Sequence, residues 1–328
     1  MRLFVPFLAL LACQGAKNDS RPVDGTSTAS SMASSGAGGS SQRGFPTGSP
    51  WVSWYGPAKG VDLAKVAATF RVINIEADPS SANFTDEQIQ ILHAGGKNRV
   101  ISYLNVGACE SYRAYWDKDP AGFKSCVASG ALTTAYEGYP DEKWADLSNA
   151  AYRKLIVNYV APRLAARGVD GFFLDNMEVI DHGTSTTNGP CNATCAQGGL
   201  DLVWELRQKF PELLIVMQNA SGEFARLGKT HGVGYASLLD GLSHEEVYTD
   251  PSPGQPARAE MLAWVKLGLT VNGRPFWLAS EDYVGACNAG AKAKANAIYA
   301  QAKQDQLNAY VTDQSAKQQA PCFWSDFP

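Results

Sequence analysis

The sequence predicts a single (β/α)8 TIM barrel over residues 51–328, and three observations predict it. Short apolar runs alternate with longer segments in which apolar residues recur every three or four positions, as strands and helices do in turn. Eight apolar runs of this kind can be counted, and the segment has about the length of one barrel domain. Strands separated by helices form right-handed units around a parallel sheet, and eight units can close into a barrel.

The apolar runs and the amphipathic segments give the expected element order. The eight predicted strands are Trp51–Tyr55, Val72–Glu76, Val100–Leu104, Gly171–Asp175, Leu213–Gln218, Leu238–Ser243, Pro275–Ala279 and Ala309–Thr312. The predicted helices include Asp86–Ala94, Ala150–Arg167, Asp201–Lys209, Ala257–Lys266 and Ala291–Gln304. A doubly wound open sheet is the main alternative. No GxGxxG turn follows the first strand, so nucleotide binding has no support.

The amino-terminal part of the chain has the composition of an export signal followed by a tether. An apolar stretch from Leu3 to Ala12 follows Arg2, and it is too short to span a bilayer. It leads into Cys13 in a context that resembles a lipobox, so residues 1–13 are interpreted as a lipoprotein signal with Cys13 as the lipidated residue. Residues 14–50, rich in Ser, Gly and Ala, are predicted to form a flexible tether. The protein is therefore expected to be exported and displayed at an outer membrane or cell surface.

Composition excludes several classes of partner. The net charge is −4 and no basic cluster interleaved with aromatic residues is present, so a nucleic-acid partner is not expected. Contact with a membrane is expected only through the lipid on Cys13. Aromatic residues make up 10% of the chain. Their rings can stack on sugars or fill the core, and the content alone is equally consistent with both roles.

Six cysteines remain if Cys13 carries a lipid, and an even number in an exported chain indicates disulfides. Proximity along the chain favours the pairs Cys109–Cys126, Cys191–Cys195 and Cys287–Cys322, although six cysteines allow fifteen pairings. A zinc site is the weaker interpretation of Cys191 and Cys195, because no second Cys or His pair stands nearby in the sequence. No metal and no cofactor is expected.

Polar residues gather where the predicted strands end. In the run GVDGFFLDN, a buried strand leads into Asp175, which is expected at the catalytic face of the barrel; a helix N-cap is the alternative role. Candidate site residues at other strand ends are Glu76, Asp78, Asn105, Glu110, Asn176, Asn219, Glu245, Glu246 and Tyr283. Structural roles such as capping or pairing with Arg remain open for each of them singly.

Two carboxylates across one rim, with aromatic residues around them and no His cluster, are what glycoside hydrolysis requires. One group donates a proton to the leaving oxygen and the other stays ionised. A serine nucleophile is disfavoured because no GxSxG turn is present. Metal-dependent hydrolysis would want paired His beside Asp, and only Asp181-His182 comes near that pattern.

Several ordered motifs together resemble glycoside hydrolase family 114, the family of endo-α-1,4-polygalactosaminidases. The motifs are SYLNVGACESYRAYW, YPDEKWADLSN, GVDGFFLDN, SHEEVY and EDY, preceded by a Trp-rich first strand, and they extend over residues 51–283. The resemblance implies a (β/α)8 barrel that cleaves partly deacetylated α-1,4-linked galactosamine polymers. It also implies a retaining mechanism in which Asp175 attacks the anomeric carbon and Glu245 protonates the leaving oxygen.

The chain departs from the family pattern beside the site. His244-Glu245-Glu246 stands where Asn-Glu-Glu or Asn-Glu-Gln is frequent, so Glu246 is the second candidate for the acid. Gln218 stands where a Lys is common, which removes a positive charge from the site. The segment 181–199 is predicted to be a variable loop that shapes the groove. The alternative function is a surface lipoprotein that binds polysaccharide on a degenerate barrel without cleaving it.

Overall fold

The computed structural model describes residues 43–324, which form an eight-stranded parallel barrel surrounded by helices. The predicted signal peptide with Cys13 and most of the predicted tether lie outside these residues, as do residues 325–328. In sheet order, which is also chain order, the barrel strands are Trp51–Trp54, Val72–Ile75, Arg99–Asn105, Gly171–Asp175, Leu214–Gln218, Gly241–Glu245, Trp277–Val284 and Asn308–Asp313. The predicted TIM barrel is confirmed.

Parallel pairing runs through all seven neighbouring strand pairs, and the seam between the first and the eighth strand is bridged by side chains. Trp51 Nε1 donates to the Asn308 carbonyl at 2.8 Å across that seam. The Trp51 ring also contacts Phe173, Trp277 and Tyr310, with ring centroids 5.3 to 6.2 Å apart. These large rings fill the barrel interior, where most strand residues are buried.

Helices cover the outside of the sheet and begin at side-chain caps. Thr85 and Gln88 form a reciprocal capping box at Asp86–His93, and Asn149 and Asn192 cap two later helices. The α-helices are Leu63–Thr69, Asp86–His93, Cys126–Ser129, Ala150–Leu155, Ala161–Ala165, Ala193–Lys209, Glu223–Leu227, Pro256–Val265 and Lys292–Gln304. A π-helical turn, Ile156–Val160, joins the fourth of these to the fifth.

The packed body begins earlier than residue 51, where the predicted tether ends. Phe45 is buried and its ring lies 4.8 Å from that of Trp277. Arg43 forms a salt bridge with Asp240 at 3.0 Å. One aromatic and one basic side chain thus fix residues 43–50 to the barrel, although the segment's Gly, Ser and Pro content is typical of a linker.

Two predicted boundaries are displaced by buried polar residues. The sixth strand begins at Gly241 instead of Leu238, because Asp240 is buried before it and accepts from Arg207 Nη2 at 2.5 Å. The seventh strand runs on to Val284, so Glu281 and Asp282 lie within the strand and are buried there. Polar residues are expected to end the strands. In the seventh strand they instead lie within its carboxyl-terminal half.

The segment predicted as a variable loop, residues 181–199, is helical from Ala193 onward. Two adjacent glycines lie in this helix, where Gly is an unfavourable residue. Both are required for close packing: a Cβ on Gly198 would lie 2.4 Å from the Leu147 carbonyl oxygen, and one on Gly199 would lie 2.5 Å from Ile180. The helix therefore begins at the Asn192 cap, ahead of the predicted start at Asp201.

Three disulfides join the pairs favoured by chain proximity: Cys109–Cys126, Cys191–Cys195 and Cys287–Cys322. Cys287 and Cys322 also lie beside Asp313 in a group whose ligand atoms are close enough for a metal ion. Their sulfurs are joined to each other, so they offer no thiolate. In the described part of the chain, no helix combines the length and the apolar character needed to cross a membrane.

Candidate active site

A cavity of about 650 Å³ opens at the carboxyl ends of the barrel strands. Asp175 ends the fourth strand, Gln218 the fifth and Glu245 the sixth, and all three side chains line this cavity. The two predicted catalytic carboxyl groups therefore share one site, and Gln218 lies on the strand between them. This is the face at which barrel enzymes carry their functional residues.

A left-handed residue follows each of these three strands. Asn176, Asn219 and Glu246 have φ values of 60°, 63° and 53°. Asn tolerates this conformation well, whereas a Glu adopts it rarely. The chain turns sharply at these positions. The side chain that ends each strand therefore faces the cavity, while the backbone that follows turns away from it.

Asp175 lies in an environment that disfavours its charge. Burial and then the nearby charge of Glu245 raise the pKa of Asp175 to about 7, and a hydrogen bond from Tyr103 offsets part of this rise. A carboxyl group that is buried beside another carboxylate keeps its proton to a higher pH. Asp175 therefore stays partly protonated up to about pH 7.

Glu245 is fixed by hydrogen bonds to both of its carboxyl oxygens. Asn219 Nδ2 donates to Oε2 at 2.7 Å, and the Tyr283 hydroxyl donates to Oε1. The Asn219 side chain also accepts from the Glu245 backbone N–H at 3.0 Å. Asn219 and Tyr283, both predicted to bind substrate, thus orient Glu245 and are not among the residues that line the cavity.

Two further carboxyl groups, those of Glu178 and Glu281, interact electrostatically with the pair. Burial is the largest cause that raises the pKa of each well above its usual value, and the charges of Asp175 and Glu245 add to the effect. The Tyr136 hydroxyl donates to Glu178 at 3.3 Å, and Gln318 donates to Glu281 at 3.0 Å. Both shifts favour the neutral form, so these groups carry less negative charge beside the pair than ordinary Glu side chains would.

Glu76 and Glu110 are bound to one guanidinium group. Arg113 Nη2 lies 2.7 Å from Glu76 Oε2 and 2.9 Å from Glu110 Oε1. Glu76 lines the cavity, whereas Glu110 is fully buried outside its lining. Of these two predicted substrate ligands, only Glu76 is placed to touch a sugar, and Arg113 already neutralises much of its charge.

Asp78 and Asn105 have structural partners instead of cavity positions. Asp78 accepts from the Ser80 backbone N–H at 2.8 Å and from Arg163 at 3.2 Å. Asn105 accepts from the Ala108 N–H at 2.9 Å and from Asn176 at 3.1 Å. The prediction that Asp78 and Asn105 contact substrate therefore does not match their placement, whereas Asn176 lines the cavity as predicted.

Glu246 is exposed and is not among the residues that line the cavity. The left-handed turn at Glu246 sends its side chain away from that of Glu245, and its N–H donates to the Glu281 carbonyl at 2.7 Å. Of the two adjacent Glu residues, the structure therefore places Glu245 opposite Asp175.

One wall of the cavity is a small antiparallel sheet that the predicted element order lacks. Its strands are Ala108–Glu110, Leu132–Tyr136 and Tyr139–Ala145. It brings Tyr136, Tyr139 and Glu142 to the cavity. Trp144 anchors it, stacking on Tyr136 with centroids 4.2 Å apart and donating to Asn188 at 2.6 Å.

The hairpin in this sheet can be recognised from its sequence. Residues 132–136 and 139–145 flank a two-residue turn, and the Gly at its second position has a φ of 85°. This turn predicts a hairpin whose second strand carries two further candidate site residues, Tyr139 and Glu142. Tyr55 and Tyr103 have no comparable signal, since each is one aromatic residue among many and lines the cavity through the barrel geometry.

Comparisons with known proteins identify the family of the chain. The profile of glycoside hydrolase family GH114 matches residues 35–226, which is more than half of the chain. A Deinococcus radiodurans protein described as uncharacterized is 29% identical over 202 residues, which are 59% of this chain and 60% of that relative. The match thus spans less than two thirds of the length of that relative.

Two solved structures have the same fold at low sequence identity. The glycoside hydrolase domain of PelA from Pseudomonas aeruginosa superposes with a TM-score of 0.60 at 14% identity, covering 83% of this chain and 96% of that domain. Ega3 from Aspergillus fumigatus, in complex with galactosamine, superposes with a TM-score of 0.60 at 16% identity, covering 87% of this chain and 97% of that one.

Proposed function

Because the chain belongs to glycoside hydrolase family GH114, we propose that it cleaves an α-1,4-linked, galactosamine-containing polysaccharide at internal bonds with retention of configuration. The observation that carries the proposal is the placement of Asp175 and Glu245 at one cavity, on strands separated by a single strand. The galactosamine bound to Ega3 supports the choice of sugar.

In the proposed reaction Asp175 attacks the anomeric carbon while Glu245 donates its proton to the leaving glycosidic oxygen. The glycosyl ester on Asp175 is then hydrolysed by a water molecule that Glu245 deprotonates, which restores both carboxyl groups. Asn219 and Tyr283 keep Glu245 in one orientation through both steps. The cycle consumes one water molecule and starts with an ionised Asp175.

The function is tested by incubating the purified protein with partly deacetylated α-1,4-galactosamine polymer and counting new reducing ends. We expect reducing ends to increase while polymer length falls early in the reaction, as internal cleavage requires. A chitosan of similar charge serves as the matched control and should stay intact. Binding of the galactosamine polymer without new reducing ends would instead support a non-catalytic binding protein.

We expect kcat/KM to fall on the acid side of about pH 7, the pKa to which burial and the charge of Glu245 raise Asp175. Below that pH Asp175 is protonated and does not attack the anomeric carbon, so the rate should fall about tenfold per pH unit. Initial rates measured from pH 5 to 9, with circular dichroism as a check of folding, test this. A rate that stays constant from pH 7 down to pH 5 would show that the reaction does not need an ionised Asp175.

We also propose that the enzyme is exported and held at the cell surface by a lipid on Cys13. Support comes from the apolar stretch before that residue and from three disulfides, which persist mainly in oxidising compartments. On this proposal residues 1–13 are the signal, and the tether ends before Arg43, where the packed body begins.

A further inference from the structure

The cavity carries more negative than positive groups. Carboxyl side chains on its lining are those of Glu76, Asp141, Glu142, Asp175 and Glu245. Glu76 is paired with Arg113. Within residues 43–324, the lining has a single basic side chain, Lys317, which is exposed. The charge of the lining therefore favours a cationic ligand over an anionic one.

Glu142 is a partly buried carboxyl group whose known partners are both neutral. Asn105 Nδ2 and Asn176 Nδ2 donate to Glu142 Oε2 at 3.5 and 3.3 Å. No salt bridge reaches Glu142 from the part of the chain that the structure describes. Both hydrogen bonds use Oε2, so Oε1 is left to a ligand. The hairpin holds the group at the cavity wall beside Asp175, whose charge acts on it.

Gln218 gives an independent indication that a hydrogen-bond donor belongs in this cavity. Its side chain lines the cavity and is only 3% exposed, yet Oε1 has no hydrogen-bond partner among the described residues. A buried acceptor without a partner is costly and rare, and it is commonly satisfied by a ligand. Gln218 lies on the strand between those of Asp175 and Glu245, where the sugar to be cleaved would bind.

We propose that Glu142 selects unacetylated amino sugars by binding the ammonium group of the residue in the cleavage subsite, while Gln218 Oε1 accepts a hydrogen bond from the same sugar. An ammonium group brings a positive charge and three N–H donors, whereas an acetamido group is neutral and offers one. This specificity rests on the proposed glycosidase function and adds the requirement for a free amine.

The protonation of Glu142 is compatible with this role. In the empty site, burial and then the charges of Glu110 and Asp175 raise the pKa of Glu142 to about 8. A bound ammonium group supplies the opposite charge and lowers that pKa, so the carboxylate forms as the sugar binds. Besides Glu110 and Asp175, four Tyr hydroxyl groups interact with the charge of Glu142: those of Tyr103, Tyr112, Tyr139 and Tyr152.

The test compares two α-1,4-galactosamine oligomers of equal length, one unacetylated and one fully acetylated. For Glu142→Gln, we expect kcat/KM on the unacetylated oligomer to fall about 10- to 100-fold while kcat/KM on the acetylated oligomer changes less than about threefold. The ratio of the two constants is the readout, because a general loss of structure would lower both. Glu142→Asp should restore part of the ratio.

Glu137→Gln is the matched control, since it removes an exposed carboxylate from the turn of the same hairpin, outside the cavity lining, and should leave the ratio unchanged. An equal loss on both oligomers in Glu142→Gln, or a wild-type preference for the acetylated oligomer, overturns the role of Glu142 while the glycosidase function stands. A wild-type enzyme that cleaves neither oligomer overturns the proposed function and this inference with it.

Discussion

Asp175→Asn is expected to lower kcat on the galactosamine polymer by on the order of 10⁴-fold or more, the range seen when a group that forms the covalent intermediate is removed. The Asn side chain has nearly the same shape but its amide does not attack the anomeric carbon. Substrate binding should persist, so the KM or the affinity for polymer should change far less than kcat. Reducing-end assays for kcat and a polymer co-sedimentation assay for binding measure the two effects separately.

Asp141→Asn is a suitable comparison for this substitution, because it also removes a carboxylate from the cavity lining but at an exposed position. Circular dichroism and the midpoint of thermal unfolding should show that both variants are folded. If Asp175→Asn kept more than a tenth of the wild-type kcat, Asp175 could not be the nucleophile.

Glu245→Gln is expected to lower kcat by about 10²- to 10⁴-fold on the polymer, the usual contribution of a general acid and base. The loss should depend on the leaving group. The nitrophenolate of a nitrophenyl galactosaminide leaves with little protonation, so on that substrate the rate of the glycosylation step should return towards the wild-type rate. The comparison of the two substrates is made by steady-state and burst kinetics.

Glu246→Gln is the matched control for Glu245→Gln. Glu246 is exposed and its side chain turns away from the cavity, so we expect its kcat to stay within about twofold of wild type, as for most surface substitutions. The opposite pattern, with the large loss in Glu246→Gln, would transfer the acid role to Glu246 and would require the loop after the sixth strand to rearrange.

The fold could be predicted from sequence because its strands are continuous apolar runs separated by amphipathic helices, and these patterns survive errors at each boundary. Gly171–Asp175 is predicted to the residue. The sixth and seventh strands are displaced because Asp240, Glu281 and Asp282 are buried through partners far away in the sequence. Pattern alone does not indicate which polar residues will find such partners.

The site was partly predictable for the same reason. Parallel strands bring their carboxyl ends together, so Asp175 and Glu245 could be placed at one rim. Asp78 and Glu110 satisfied the same rule, yet each is bound to an Arg: Asp78 to Arg163, which is distant in the sequence, and Glu110 to Arg113, three residues away. The strand pattern alone does not indicate whether a carboxylate is free or paired.

The wall of the cavity was the least predictable part. Glu142 lies on a hairpin inserted between the third and fourth barrel strands, outside the alternation of strand and helix that organised the prediction. Gln218 was noted for a missing positive charge, while its unpaired acceptor became visible only with the cavity around it. The two residues that we propose to bind the amino sugar therefore depend on the structure for their assignment.

Trapping the covalent intermediate tests the central claim most directly. The enzyme is incubated with a 5-fluoro galactosaminyl fluoride of α configuration, digested with trypsin and analysed by mass spectrometry. We expect one glycosyl ester, on Asp175 within the peptide that follows Arg167 and ends at Arg207, and none in Asp175→Asn. An ester on a different residue, or a first product of β configuration in NMR spectra of the polymer reaction, would contradict a retaining glycosidase with Asp175 as its nucleophile.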